Sequence, residues 1–140
     1  MSYLGAVNLI KSISETVNPT GIFQHGRRWD ASLNFGENDK QIYLYPITAN
    51  VDLTNHYFES WAVVMGFYFQ DAPDSTELDR QALIVEADNM VTEFLNLLNE
   101  TEGIELSNAR KEPSYRQMAG TYTGYTLGFT LNTTTDLCVL

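Results

Sequence analysis

Residues 61–70, WAVVMGFYFQ, contain only Gly66 and Gln70 outside the apolar and aromatic types, and nothing in them alternates. A run of this kind fits a central strand covered on both faces rather than a surface strand with one wet side. It stops at Asp71-Ala72-Pro73-Asp74, where proline removes a ladder donor. Asp74-Ser75-Thr76-Glu77 then has the spacing of a capping box with aspartate in the cap position, where a carboxylate also meets the positive end of a helix. A helix over 75–99 is expected. Its apolar stripe is Leu78, Leu83, Ala87, Met90, Phe94 and Leu97, widened by Ile84, Val91, Leu95 and Leu98. A covered strand that leads at once into a long amphipathic helix calls for a sheet packed under helices, which already bounds the fold class.

The rest of the chain supplies the other elements. Leu4, Val7, Ile10, Ile13 and Val17 recur every three or four residues, the spacing of a helix over 3–17. Asn18-Pro19-Thr20-Gly21 ends it. Trp29, Ala31, Leu33 and Phe35 alternate with polar residues, Gly36-Glu37-Asn38-Asp39 reads as a tight turn, and 41–47 is the returning strand of a hairpin. Pro46 places the far end of that strand on an edge or outside the sheet. Residues 48–60 lack sustained periodicity and read as a long loop. Ile104 and Leu106 begin a short strand that Lys111-Glu112-Pro113 breaks, and a last strand through Tyr125, Leu127, Phe129 and Leu131 starts near Tyr115 with a bend at Gly120 or Gly124. With 140 residues one domain is expected. It would be α+β: an antiparallel sheet with a β-hairpin, an N-terminal helix and a long central helix packed on one face. Residues 1–131 would form the core and 132–140 a C-terminal tail.

Eighteen acidic side chains oppose eight basic ones, a net charge of −10. The acidity is local, because residues 71–105 hold ten carboxylates against Arg80 alone. Such a surface is either a solvated helix face or one that repels polyanions and docks a basic partner. Specific nucleic-acid binding is not expected, since Arg27-Arg28 and Arg110-Lys111 are too sparse for a phosphate-binding patch. No apolar run approaches the roughly 20 residues of a membrane span, and the N-terminus lacks the pattern of a secretory signal. The lone Cys138 excludes a disulfide framework within the chain. His25 and His56 have no ligand spacing to each other or to Cys138, and no nucleophile elbow, phosphate loop or dinucleotide fingerprint is present. No metal, no cofactor and no enzymatic activity are therefore expected.

The amphipathic stretch 4–17, the hairpin 29–47, the block WAVVMGFYFQDAPDSTELDRQALIVEADNMVTEFLNLL and the closing GTYTGYTLGFTLN together resemble the tail-terminator, or tail-completion, proteins of tailed bacteriophages. These are small α+β subunits that form a ring at the neck between head and tail. The resemblance lies in element order and texture across most of the chain, and 48–60 departs in length. It implies a virion structural protein, assembled in the host cytoplasm as a homo-oligomeric ring, a hexamer or dodecamer. Its partners would be copies of itself and other neck, portal or tail proteins, and DNA would pass through it. Interface residues would then come from the long loop and the tail: Asp52, His56, Tyr57, Phe58, Leu137, Val139 and Leu140. Glu77, Glu86, Asp88 and Glu93 would face the channel. Two other readings stand beside this one. One is a small-molecule-binding or enzymatic α+β domain using His56 and nearby carboxylates, and the other is an acidic inhibitor that imitates nucleic acid.

Overall fold

The computed structural model describes residues 1–26, 40–52, 58–116 and 122–133, with the backbone alone at 52, 58 and 116. Helix α1 spans Tyr3–Val17, as its periodicity predicts. Ser2 caps it by accepting a hydrogen bond from the Gly5 N–H at 3.0 Å, and Asn18 ends it just before Pro19. Strands β1 (Ile22–His25), β2 (Lys40–Leu44), β3 (Thr48–Asp52) and β4 (Phe58–Gln70) follow, then helix α2 (Glu77–Asn99) and strands β5 (Ile104–Arg116) and β6 (Tyr122–Thr133).

One six-stranded sheet results, ordered β1-β2-β4-β6-β5, with β3 beside the first half of β4. Every pairing is antiparallel except β1 on β2. Both helices cover the same face. Ile42 and Leu44 of β2, Val63, Met65 and Phe67 of β4, and Leu127, Phe129 and Leu131 of β6 point to that side. There they pack with Ala6, Val7, Ile10 and Ile13 of α1 and Val91, Phe94 and Leu98 of α2. The expected α+β architecture, with an N-terminal and a long central helix on one face, is what the chain adopts.

Several local expectations change. The strand expected at 29–35 lies outside the described residues, and β2 instead has β1 as a parallel neighbour. Pro46 does separate two segments, β2 and β3, which run in succession beside β4. The long loop is shorter than its lack of periodicity suggests, since Thr48–Asp52 forms β3 and pairs with residues 58–62. β3 is exposed along its described side chains, so it carries no apolar alternation by which to be read. Pro113 does not break β5, which is the outermost strand on its side, a position where a missing ladder donor is tolerated. Residues 115–116 accordingly close β5 rather than open β6, and Asn132 and Thr133 belong to β6 rather than to the tail.

In α2 the cap is Thr76, not Asp74. The Thr76 hydroxyl accepts from the Asp79 N–H at 3.2 Å, and the Asp79 carboxylate accepts from the Thr76 N–H at 2.9 Å. This choice leaves Ser75 free to donate to buried Asp71, which also accepts from the Thr123 hydroxyl at 2.9 Å. The buried stripe is Ala87, Val91, Phe94 and Leu98. Leu78 leaves it, standing 77% exposed. The reason is arithmetic: position 87 follows position 78 by two and a half turns, so the two occupy opposite sides of the helix.

Candidate functional site

The candidate surfaces of this fold are the two sides of its helix-on-sheet sandwich and the sheet's outer strands. Strand β5 governs what the helix-free side presents. Its pairing with β6 slips between Ser107 and Arg110, and Asn108 adopts a positive φ of 55°, a conformation asparagine tolerates better than most residues. The slip is a one-residue bulge, and because side chains alternate strictly along a strand it inverts every position that follows. Leu106 lies opposite Leu131 on the helix side, yet Arg110 lies opposite Gly128 and Glu112 opposite Thr126 on the other. Lys111 turns to the helix side, where its ammonium meets Asp88 of α2 at 2.5 Å and rides over the Tyr125 ring.

A shallow groove of about 240 Å³ follows on the helix-free side, lined by Val64, Arg110, Glu112, Thr126 and Gly128. Val64 is its apolar floor, 45% exposed, and Gly128 leaves the space beside it open. Further along the same face the aromatic side chains fill their own space. Tyr43, Tyr68 and Tyr122 are buried, the Gln41 amide donates to the Tyr122 hydroxyl at 3.0 Å, and the Tyr45 and Tyr68 hydroxyls lie 2.9 Å apart. Gly66 makes this possible, since a Cβ there would stand 2.1 Å from the Tyr68 ring.

The sequence-derived interface residues fall unevenly. Asp52 and Phe58 are cross-strand partners at the end of the β3–β4 pair where the chain passes from one strand to the other. His56, Tyr57, Leu137, Val139 and Leu140 lie outside the described residues. The four carboxylates expected to face a channel all ride on α2, but they do not act as one group. Glu77 sits in the first turn, 3.7 Å from the Arg80 guanidinium. Asp88 is tied to Lys111 on one flank. Glu86 and Glu93 are exposed on the other flank, two turns apart, and form no ion pair among the described residues.

His25 is held structurally. Its Nδ1 lies 2.8 Å from the Leu44 carbonyl oxygen, which can only accept, so Nδ1 carries a proton; in the neutral ring Nε2 then accepts from the Tyr3 hydroxyl at 2.7 Å. Among the described residues no three His, Cys, Asp or Glu side chains come together in a way that would hold a metal ion. No helix among them is long and apolar enough to cross a membrane.

Sequence reasoning missed two surfaces. One is the groove, whose members reach the same side only through the bulge. The other is a second apolar stripe on α2: Leu78, Ala82 and Val85, spaced four and three apart, all exposed on the side away from the sheet. The spacing was in the sequence, hidden by assigning Leu78 to the core. No protein-family model matches the chain, and no curated protein matches it.

Proposed function

We propose that this chain is a structural subunit of a tailed-phage virion, assembling with copies of itself into a ring at the neck or tail that joins neighbouring tail or portal components and lets DNA pass. The resemblance of its element order to tail-terminator subunits motivates the reading. The observation that carries it is the one-sided layering: among the described residues both helices lie on one face, β5 is the outermost strand along its whole length, and an open groove with an exposed valine remains on the other face. Unpaired strand edges and exposed apolar positions at opposite ends of a small domain are the materials of joints between copies. The acidity supports the second half of the reading, because a surface with this excess of carboxylates repels phosphate at close range.

Native mass measurement of the purified protein over a range of concentrations tests the proposal. A single closed species of defined subunit number, annular in negative stain and without retained duplex DNA at low salt, is expected. A monomer at every concentration would overturn it.

A further inference from the structure

We propose that the outer stripe of α2 in one copy seats in the helix-free groove of the next, so that copies join front to back. The inference rests on the self-assembly reading above and specifies its joint.

Leu78 and Val85 are 77% and 60% exposed, and Ala82 between them completes a stripe along two turns of α2. The groove on the opposite layer offers Val64 as an apolar floor and Gly128 as a gap. A cavity of about 150 Å³ accepts a molecule the size of benzene, so a groove of about 240 Å³ has room for the branched ends of Leu78 and Val85. The seated helix would repeat on the outside the helix-on-sheet packing that the molecule already uses within.

Charge orients the joint. Around α2, Asp79, Glu86 and Glu93 line one flank of the stripe, and Gln81 and Thr92 the other, together with Glu77 and Asp88, which are paired with Arg80 and Lys111. On the groove, Arg110 and Glu112 stand two residues apart on one strand, and neither makes an ion pair among the described residues. Arg110 meets the Glu86 and Glu93 flank when Glu112 faces the one whose carboxylates are already paired; the reverse orientation sets Glu112 against carboxylates that form no ion pair among the described residues. Within one copy the two surfaces belong to opposite layers and cannot meet. A second copy supplies both the apolar complement and the counter-charge. A contact between two different patches is heterologous, the kind that closes into a ring when its rotation permits.

Two variants in a Cys138→Ser background, Val64→Cys and Val85→Cys, test this directly. Mixed under mild oxidation they should give a disulfide-linked pair, and neither alone should. Arg110→Glu should raise the concentration for half-assembly by about tenfold, and Glu86→Arg with Glu93→Arg in the same chain should restore it, with far-UV circular dichroism reporting a retained fold throughout. A Val85→Cys chain that links to itself would overturn the joint, because it would place α2 against α2. A parent ring that forms no mixed disulfide would overturn the joint and leave the ring standing. A parent that stays monomeric would remove both.

Discussion

Phe94 packs edge-on against Phe67 at 5.5 Å between centroids and tilts toward Phe129 at 6.2 Å, so one side chain joins α2 to two central strands. It is wholly buried. Phe94→Ala should therefore lower unfolding free energy by about 3 to 5 kcal/mol in urea titration, and a loss under about 1 kcal/mol would mean that α2 does not pack this way. Gly124 is a different kind of constraint: a Cβ there would lie 1.8 Å from the Phe67 carbonyl oxygen, and backbone cannot swing aside as a side chain can. Gly124→Ala should cost about 2 kcal/mol or more. Gly128→Ala should be close to neutral for folding, because its nearest contact would be 3.8 Å away. Thermal melts of the two variants side by side separate these cases. Phe94 was legible from spacing alone, whereas nothing local distinguishes Gly124 from Gly128. Their difference exists only once β4 and β6 are in register.

At the level of elements, what could be read was what repeats within a few residues. α1 matches its periodicity to the residue, and α2 ends where expected, at Asn99. It begins later than expected because Thr76-x-x-Asp79 carries the same capping signal as Asp74-x-x-Glu77, and Ser75 reaches back to Asp71, the residue that follows β4. β1 and β3 were missed because neither carries an apolar alternation of its own, β1 being half-buried throughout and β3 exposed, so that each is fixed only by its strand partner. The groove depends on the bulge at Asn108 and was out of reach for the same reason.

The cap makes a pH-dependent prediction. The Thr76 backbone N–H, and then its hydroxyl, hold the Asp79 carboxyl below the ordinary aspartate value. A group depressed on folding contributes stability that is present above its unfolded pKa and disappears as pH falls through the folded one. Asp79→Asn should then be less stable than the parent at neutral pH, with the gap closing at the acid end of the carboxylate range. A gap that persists unchanged into strong acid would contradict this. Thr76→Ala, which removes the hydroxyl side of the cap, should cost about 1 kcal/mol at neutral pH. Deleting Asn108 should remove the bulge and leave Arg110 opposite Gly128 and Lys111 beside Asp88, because β5 holds one residue more than β6 across this stretch.

For the whole molecule the governing number is the net charge of −10. Copies brought together carry that excess with them, and repulsion between exposed charges fades over about a Debye length, roughly 30 Å at 0.01 M salt and 8 Å at 0.15 M. Assembly should therefore strengthen as salt rises between these limits, even though any single ion pair across a joint weakens. Light scattering at fixed protein concentration reads the sign of the effect. Assembly that falls steadily with added salt would mean that a few opposite-charge contacts outweigh the summed repulsion.

The confinement of both helices to one face also gives the subunit a direction. Among the described residues nothing on the groove side repeats what the helical side presents, so copies that joined front to back would all point the same way around a closed circle. No two-fold axis can then exchange the circle's upper and lower rims. The two ends of such a circle would be chemically distinct, and a single gene product could then hold one kind of neighbour above and another below.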